Sequence, residues 1–281
     1  MMVISTINEV RNIVKEWKTQ GLTVGFVPTM GYLHEGHESL IKRANEENDR
    51  VVVSIFVNPI QFGPKEDLST YPRDLERDKV LCKGAGADII FHPENEEMYF
   101  GDFSTFVDMT GLTDELCGKS RPTHFKGVCT VVTKLFNIVA PHRAYFGEKD
   151  AQQLAVIKRM VRDLNIDVEV VGCPIVREED GLAKSSRNTY LSEEERRAAT
   201  ILNKALTEAK SKITNGERVA SNIINSITET ISTEPLAKID YVQVVDCFSM
   251  EPVSTLDKSV LVAIAVFIGK TRLIDNFTYE L

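Results

Sequence analysis

Short apolar runs alternate with helical patterns over roughly the first 175 residues of the chain. The runs predicted to be strands are Thr23–Val27, Arg50–Val57, Asp88–Phe91, Ala144–Phe146 and Val168–Cys173. Helices are predicted between them, near Ser39–Asn48, Leu75–Gly84, Gly127–Val139 and Asp150–Leu164. This alternation is typical of a parallel sheet that is covered by helices on both faces. The pattern therefore predicts an α/β fold, with ligands bound beyond the carboxyl ends of the strands.

The pattern changes after about Val176. Two charged helices rich in Ala and Ile are predicted over Glu193–Thr214 and Arg218–Thr233, followed by strand-like runs at Tyr241–Val245 and Val260–Phe267. We therefore predict two domains: residues 1–175 with the parallel sheet, and residues 176–281 as a smaller α+β domain that closes over the site. The polar segment Phe62–Arg77 is predicted to be a mobile loop beside the site.

Composition narrows the class of protein. The formal net charge of -8 argues against a nucleic-acid-binding surface, which is normally basic. The five cysteines are odd in number and form no C-x-x-C pair, which favours a reducing compartment over a disulfide framework. The N-terminus lacks the apolar region of a signal peptide, and the longest apolar run, Val260–Ile268, is about half of a membrane span. We expect a cytoplasmic protein with no membrane partner.

The segment from Val27 to His37 carries the strongest chemical signal. A strand leads into a glycine-bearing turn and then into a predicted helix, whose free N–H groups favour anions. His34 and His37 are three residues apart, so on a helix they would share a face and reach one phosphate. Gly31 and Gly36 would let a nucleotide lie close to the backbone. An H-x-x-H pair alone more often caps an ordinary helix, but the strand and the glycines favour a phosphate site.

Three further polar segments are candidates for the same chemistry. Lys184-Ser185-Ser186-Arg187 offers many hydrogen-bond donors to a pyrophosphate. Gly147-Glu148-Lys149-Asp150 follows a strand, and Lys149 can neutralise phosphate charge while Asp150 caps the helix or accepts from ribose hydroxyls. Asn58, Gln61 and Gln153 can offer neutral amides to a small polar substrate. Each segment alone also fits an ordinary loop or a capped helix.

Several common motifs fail on this chain. The segments Gly118-Lys119-Ser120 and Gly269-Lys270-Thr271 lack the earlier glycine of a P-loop, since Thr113 and Ile264 hold those places. No G-x-G-x-x-G follows the first predicted strand, and no H-E-x-x-H is present. These absences weaken a dinucleotide-binding or zinc-hydrolase interpretation.

The H-x-G-H after a strand, with a late Lys-Ser-Ser-Arg, is similar to the HIGH and KMSKS motifs of class I nucleotidyl-transferring enzymes. The blocks PTMGYLHEGH, FVNPIQFG, YPRDLERD, YFGEKDAQQ and SSRNTYL also resemble the pantoate–β-alanine ligase family, in the family's order. The resemblance implies a Rossmann-like domain, a homodimer, and use of ATP and Mg²⁺. It implies that pantoate and β-alanine are condensed through a pantoyl adenylate, with release of AMP and pyrophosphate.

The resemblance also implies roles for individual residues, with His37, His34 and Lys149 as the catalytic candidates. Many members carry an apolar residue where this chain has Lys184, and an extra cation there still suits a pyrophosphate. Pantoate would be bound by Gln61, Gln153 and Asn58, with Gln61 also beside β-alanine, and Tyr71 and His124 are weaker candidates. The metal ligands stay unassigned. The implied ATP-binding residues are Met30, Gly31, Tyr32, Leu33, His34, Glu35, Gly36, His37, Gly147, Glu148, Lys149, Asp150, Val176, Lys184, Ser185, Ser186 and Arg187.

Two other functions stay open from the sequence. Another enzyme of the same class, such as a cytidylyltransferase, would need more Arg and Lys beside its acceptor pocket than the amides of the FVNPIQFG block supply. A regulatory module that binds nucleotide without chemistry would not need both phosphate-binding motifs and Lys149. Release of pyrophosphate separates a sensor from an enzyme.

Overall fold

A computed structural model describes residues 1–64 and 66–281. Its larger sheet has six parallel strands in the order β1-β4-β3-β2-β5-β6. The central strands are continuous apolar runs because both of their faces are covered. The strands are β1 (Met2–Ile4), β2 (Val24–Thr29), β3 (Arg50–Ile55), β4 (Ile89–Phe91), β5 (Arg143–Gly147) and β6 (Glu169–Cys173).

The helices alternate with these strands and continue beyond them. Several begin at a side chain that accepts a backbone N–H bond, such as Thr6, Asp74 and Ser192. Short 3₁₀ turns lie at Pro59–Gln61, Glu148–Asp150 and Ser186–Tyr190. The α-helices are α1 (Ile7–Thr19), α2 (Glu35–Glu47), α3 (Leu75–Ala85), α4 (Asn95–Met98), α5 (Leu116–Ser120), α6 (His124–Val139), α7 (Ala151–Asp163), α8 (Glu193–Ala198), α9 (Ile201–Thr214) and α10 (Ala220–Ile231).

The described residues form two compact units. The first contains Met1–Met109, Arg121–Glu148 and Val156–Pro174, and the second contains Thr110–Ser120, Lys149–Ala155 and Ile175–Leu281. The predicted division into residues 1–175 and 176–281 stays a prediction.

The first unit contains the six-stranded sheet and a point where the strand order reverses. From β2 the chain proceeds to β3 and β4 on one side, and then returns to β5 on the other side of β2. At such a reversal the connections leave the carboxyl ends of two neighbouring strands in opposite directions, which opens a crevice for ligands. The histidine segment follows β2, and Gly147 ends β5. The sheet therefore brings two of the predicted segments to its ligand-binding edge.

The second unit contains an antiparallel sheet of three strands: β7 (Ala237–Asp246), β8 (Val260–Ile268) and β9 (Thr271–Tyr279). Helices α9 and α10 bury their apolar faces in the same core as the sheet. The core residues on these helices recur at helical spacing, and β8 is an apolar run. Buried members of this core include Leu202, Leu206, Ile213, Ile223, Ile227, Val262, Ile264 and Val266.

The structure departs from the predicted elements in several places. The helix predicted over Glu193–Thr214 is two helices, α8 and α9. At their junction the Thr200 hydroxyl donates to the carbonyl of Arg197, and the N–H of Leu202 donates to the carbonyl of Ala199, three residues back instead of four. The sequence analysis did not predict β1, α1 or β9. The strand β1 has three residues and β9 has buried polar residues at its centre, so neither shows a clear apolar pattern.

The predicted loop over Phe62–Arg77 is shorter, because Asp74 accepts from the N–H of Arg77 and starts α3 at Leu75. The loop includes Lys65, which lies outside the described residues, and its mobility stays a prediction. Both carboxylate oxygens of Glu66 accept hydrogen bonds from Arg121, at 2.5 and 2.8 Å. Burial alone would raise the pKa of Glu66, but the guanidinium and the N–H of Gly63 lower it to about 2.

Over residues 1–64 and 66–281, no helix combines the length and the apolar character that a membrane span needs. All five cysteines are free thiols.

Candidate functional site

The connection from β2 to α2 is a tight turn held by side chains from neighbouring elements. Thr29, the last residue of β2, donates its hydroxyl to the carbonyl of Ser54 on β3 at 2.8 Å and accepts from the N–H of Gly31 at 3.2 Å. Gly31 has φ +83° and Tyr32 has φ +51°, so two consecutive residues are left-handed. This region is open to glycine but strained for tyrosine. The strained pair turns the chain so that the histidines follow at the start of α2.

The two histidines form the N-terminal cap of α2. Nδ1 of His34 accepts the N–H of Gly36 at 3.1 Å, and Nδ1 of His37 accepts the N–H of His34 at 3.3 Å. His34 and His37 would share a face only if both were helical, and His34 precedes the helix with extended backbone, φ -140° and ψ 179°. The rings are nevertheless neighbours, with centroids 4.1 Å apart.

The cap determines which nitrogen of each neutral ring carries the proton. A backbone N–H is always a donor, so the Nδ1 atoms of His34 and His37 must both accept. The proton of each neutral imidazole then resides on Nε2, which is a donor. The cap therefore supplies two N–H donors side by side at a helix N-terminus, where an anion is favoured.

Asn58 and Gln61 are joined in a hydrogen-bonded chain that fixes the amide orientation of both. The Asn58 amide nitrogen donates to the carbonyl of Gly127 at 3.1 Å and to Oε1 of Gln61 at 3.0 Å, and its oxygen accepts from Tyr99 at 2.7 Å. Because Gly127 can only accept through its carbonyl, Asn58 must present its nitrogen there. Gln61 consequently presents its own nitrogen, and this atom lies 3.0 Å from the sulfur of Met30.

This hydrogen-bond network gives Asn58 and Gln61 different roles in the site. Asn58 is 1% exposed and uses both of its amide hydrogens within the protein, so it orients Gln61. Gln61 uses one amide hydrogen on the thioether of Met30, which is a weak acceptor, so a ligand oxygen would compete well for this amide. Contact of either residue with pantoate stays a prediction. His124 also contacts the protein itself, since its Nδ1 lies 3.1 Å from the Gln61 carbonyl oxygen.

Gly127 on α6 allows the helix to approach the Gln61 backbone closely. A Cβ at this position would lie 2.4 Å from the Cα of Gln61 and 2.6 Å from the carbonyl oxygen of Ile60. We expect Gly127→Ala to displace Gln61, to raise KM for pantoate about tenfold or more, and to lower the free energy of unfolding by about 1–3 kcal/mol. Steady-state kinetics and denaturant unfolding measure both effects.

Gly84→Ala is the matched control for this prediction, because Gly84 is also within a helix and a Cβ there would meet nothing within 4 Å. Alanine at position 84 should stabilise α3 by about 0.5–1 kcal/mol and leave pantoate kinetics unchanged. Wild-type KM in Gly127→Ala would show that the position of Gln61 does not govern pantoate use.

A cavity of about 250 Å³ lies within the first unit beside the β2–α2 turn. It is bounded by the turn, by the carboxyl ends of β3 and β4, and by the start of α3. The parallel sheet creates this space because its loops diverge beyond the strand ends. The residues around it are Met30, Gly31, Tyr32, Ile55, Phe56, Val57, Arg73, Asp74, Leu75, Asp78, His92, Pro93, Glu94 and Asn95.

The remaining predicted residues of the first unit surround the same turn or end β5. Leu33 is fully buried in the core between α2 and the sheet, so its part in ATP binding would involve its backbone. Glu35 is exposed in the first turn of α2. Gly147 ends β5, Glu148 follows it with an exposed side chain, and a Cβ at Gly147 would meet no other atom within 4 Å.

In the second unit, a short antiparallel ribbon brings Val176 beside Lys184. The N–H of Lys184 donates to the carbonyl of Val176 at 2.9 Å, and Arg177 pairs with Ala183. The turn of the ribbon has Gly181 at φ +89°. The ribbon explains how two predicted ATP-binding residues, eight positions apart in sequence, become neighbours.

An ion pair that the sequence analysis did not predict anchors this ribbon to β9. Arg177 donates to both oxygens of Asp275, at 2.7 and 3.0 Å, and to the carbonyl of Gly181 at 3.0 Å. The Asp275 side chain is 1% exposed. A buried carboxylate in the middle of a strand is costly without such a partner. Arg177 and Asp275 therefore fix where the following basic segment begins.

The basic segment itself forms a 3₁₀ turn. Ser185 caps this turn by accepting the N–H of Arg187 at 3.3 Å, and Ser186 begins it with a buried side chain. Asn188 donates back to the carbonyl of Ala183 at 3.1 Å, which holds the segment against the ribbon. Lys184, Ser185 and Arg187 are half-buried. The turn thus presents a lysine, two hydroxyl groups and an arginine on consecutive residues.

Lys149 is held through its backbone, and its side chain has a distant ionic neighbour. Its carbonyl accepts from the Asn276 amide at 2.8 Å, and its Nζ lies 3.7 Å from an oxygen of Asp150. Gln153 is half-buried, whereas its neighbour Gln152 is buried and bonded to the backbone of residues 112, 115 and 118. Gln152 is consequently structural, and Gln153 stays the candidate for pantoate.

No group of three or more His, Cys, Asp or Glu side chains has the arrangement of a metal site over residues 1–64 and 66–281. His34 and His37 cap α2 through their Nδ1 atoms, and their ring centroids lie 4.1 Å apart. Their geometry suits hydrogen bonding to an anion better than metal ligation.

Comparison with known proteins identifies the family. A family model described as pantoate-beta-alanine ligase matches residues 2–278. The chain belongs to this family. The pantothenate synthetase of Enterococcus faecalis is 70% identical over 281 residues and is covered in full, as is this chain.

Solved structures of ligases of this family have the same fold. The crystal structure of pantothenate synthetase from Thermus thermophilus has a TM-score of 0.94 at 48% identity, with 99% of both chains covered. The pantoate-beta-alanine ligase of Francisella tularensis, crystallised with beta-gamma ATP and beta-alanine, has a TM-score of 0.80 at 36% identity, covering 99% of this chain and 97% of that one. The family and the α/β fold class predicted from the motifs are confirmed.

Within this ligase fold, each unit brings its own share of the predicted residues together. The first unit assembles the His34–His37 cap and the Gln61 amide around one sheet edge. The second unit assembles the ribbon and the basic turn. Sequence reasoning missed three residues that hold these groups: Asp78, Arg177 and Asp275. No sequence signal marks them, since each is a common residue type whose partner is distant in sequence.

Proposed function

We propose that this chain condenses pantoate with β-alanine to form pantothenate, using ATP. The pantoate carboxylate attacks the α-phosphorus of ATP, giving pantoyl adenylate and pyrophosphate. The amine of β-alanine then attacks the acyl carbon, and AMP leaves. A free carboxylate is a poor acyl donor, so adenylation supplies the leaving group that amide formation needs. The family membership and the identity to named ligases support this reaction.

The observation that carries the mechanism is the histidine cap at the end of β2. Two neutral imidazoles with their Nδ1 atoms engaged by backbone N–H groups present Nε2–H donors, which suit the charge that develops on phosphate oxygens. We assign His37 and His34 to this role and Lys149 to neutralising phosphate charge. The turn at Met30–Leu33 and the basic turn at Lys184–Arg187 are assigned to ATP, together with Gly147–Asp150 and Val176.

Gln61 and Gln153 are assigned to pantoate, with Gln61 also beside β-alanine. A neutral amide orients a carboxylate while leaving it more nucleophilic than an arginine would. The network around Gln61 supports this role, because it directs the amide nitrogen of Gln61 to the sulfur of Met30, a weak acceptor that a ligand oxygen could replace. We further propose that Mg²⁺ accompanies ATP. Phosphate oxygens and water would supply most of its ligands, as Mg²⁺ prefers.

We also propose that the protein is a cytoplasmic homodimer, as the resemblance to the family implies. Five free cysteines are compatible with a reducing compartment. Sedimentation equilibrium of the purified protein tests the dimer.

Product analysis with ATP, Mg²⁺ and pantoate, with and without β-alanine, tests the reaction. We expect AMP, pyrophosphate and pantothenate to appear together at steady turnover only when β-alanine is present. Formation of ADP and phosphate would overturn the adenylate mechanism. Nucleotide turnover with CTP and a phosphorylated acceptor, without pantoate dependence, would favour a cytidylyltransferase.

Gly147→Ala tests the assignment of Gly147 to ATP. Since a Cβ there would meet no protein atom within 4 Å, we expect the variant to fold with wild-type stability. If ATP lies against this backbone, the added methyl group should raise KM for ATP about tenfold or more, by steric exclusion. Thermal unfolding and steady-state kinetics measure the two effects. Wild-type KM for ATP in a folded variant would remove Gly147 from the ATP site.

A further inference from the structure

Asp78 on α3 binds the β2–α2 turn through two adjacent backbone groups. Its Oδ2 accepts the N–H of Tyr32 at 2.8 Å, and its Oδ1 accepts the N–H of Leu33 at 2.7 Å. Asp78 is 1% exposed, and burial raises the pKa of its carboxyl group, so the charged form is costly at this position. The two short bonds offset part of that cost, and the pKa stays raised. Both oxygens of this buried carboxylate therefore hold the turn.

The turn needs such a support because its backbone is strained. Gly31 and Tyr32 are both left-handed, and a left-handed tyrosine is unfavourable unless its surroundings enforce it. A Cβ at Gly31 would lie 3.1 Å from Asp78 Oδ2 and 2.9 Å from Ile55 Cγ2, so the turn packs directly on α3 and β3. The guanidinium of Arg77 lies 4.7 Å from the centre of the Tyr32 ring. Two consecutive residues of α3 thus contact the strained tyrosine from its backbone and its ring.

We propose that Asp78 is a positioning residue that fixes the Tyr32–Leu33 backbone and thereby the histidine cap that follows it. His34 is the next residue after Leu33, and its own N–H is bound by His37. A shift of the Leu33 amide would consequently move both imidazoles. The inference rests on the proposed function, since it assigns Asp78 an effect on phosphate chemistry through His34 and His37.

The first test compares Asp78→Ala with Glu76→Ala on the same helix. Glu76 is exposed and its carboxylate pairs with Lys79 at 2.7 Å, so its loss removes one surface ion pair and leaves both bonds from the turn in place. Pantoate-dependent exchange of pyrophosphate into ATP measures adenylation alone. We expect about a 10²-fold loss in Asp78→Ala, because a small misplacement of catalytic groups has this effect, and less than about threefold in Glu76→Ala.

Amide hydrogen exchange gives a second readout that needs no activity. In Asp78→Ala the amides of Tyr32 and Leu33 should lose protection, and in Glu76→Ala they should keep it. If Asp78→Ala does not fold, Asp78→Asn preserves the side-chain volume and can accept only one of the two N–H groups. It should show the same loss of adenylation and should deprotect at least one of the two amides.

A double variant with His37→Ala separates positioning from a general structural role. If Asp78 acts through the cap, Asp78→Ala should cost several-fold less when His37 is already absent than in the wild type, because only the contribution of His34 is then left to lose. A purely structural role would lower the amount of active enzyme by the same factor in both backgrounds. Equal losses in both backgrounds, or unchanged protection of the Tyr32 and Leu33 amides, would overturn the inference.

The same experiments distinguish failure of this inference from failure of the proposed function. A wild-type protein without pantoate-dependent exchange would contradict the proposed function, whatever the exchange protection of the turn. A wild-type protein that exchanges pyrophosphate, together with an Asp78→Ala variant that matches Glu76→Ala, would contradict only the role of Asp78.

Discussion

His37→Ala is expected to lower kcat for pantoate adenylation by about 10²–10³-fold, the usual scale for the loss of one donor to a transition state. The Nδ1 of His37 accepts the N–H of His34, so its Nε2–H is directed away from the cap as a donor. Charge grows on the phosphate oxygens as pyrophosphate leaves, and the donor should bind more strongly then than in the ground state. Pyrophosphate exchange measures this step separately from amide formation.

Two further substitutions separate the donor at His37 from the cap. Asparagine places an amide oxygen near the position of Nδ1, so His37→Asn should retain the bond from the His34 N–H and still lose most activity. Glutamine reaches the position of Nε2 with an amide nitrogen, so His37→Gln should retain more activity than His37→Asn. Thermal unfolding of both variants should remain close to wild type. Higher activity in His37→Asn than in His37→Gln would mean that the cap, and not the Nε2 donor, is what catalysis requires.

The sequence predicted most of the parallel sheet because its strands are buried on both faces. Continuous apolar runs such as β2 and β3 carry that information locally, and the glycines and caps between them mark the turns. The three-residue β1 is too short to show any period. The break between α8 and α9 lies at Thr200, whose hydroxyl bonds to the carbonyl of Arg197, and nothing in the surrounding helical pattern reveals it.

The candidate residues that carry chemistry were evident in sequence, but the residues that hold them in place were not. Histidines and lysines near glycines suggest phosphate binding by residue type alone. Asp78 and Asp275 are common residues in ordinary helical and strand segments, and their roles arise from contacts 45 to 98 positions away in sequence. A single sequence contains no sign of such pairings. The same limit applies to α2, which begins at Glu35 and not near Ser39 as predicted, since the cap formed by His34 and His37 is seen only in the structure.

Lys149→Met is expected to lower kcat/KM for ATP in adenylation by about 10²-fold or more. The lysine backbone is held by the Asn276 amide, and this bond does not depend on the side chain. Its side chain is 19% exposed and lies 3.7 Å from a carboxylate oxygen of Asp150, a longer separation than that of a strong charge-assisted hydrogen bond. A partly buried cation with a weakly bound partner can bind a phosphate instead at little cost. Methionine retains the apolar stem and removes only the charge.

Lys158→Met is the matched control, because it makes the same change in net charge at an exposed position of α7. It should leave adenylation within about twofold of wild type, since an isolated surface charge has little effect. The second step separates the two uses that Lys149 could have. Pyrophosphate has already left when β-alanine attacks, so synthetic pantoyl adenylate should be converted by Lys149→Met at nearly the wild-type rate. Equal losses in both steps would show that Lys149 supports the AMP portion or the fold, and would remove it from charge stabilisation during transfer at phosphorus.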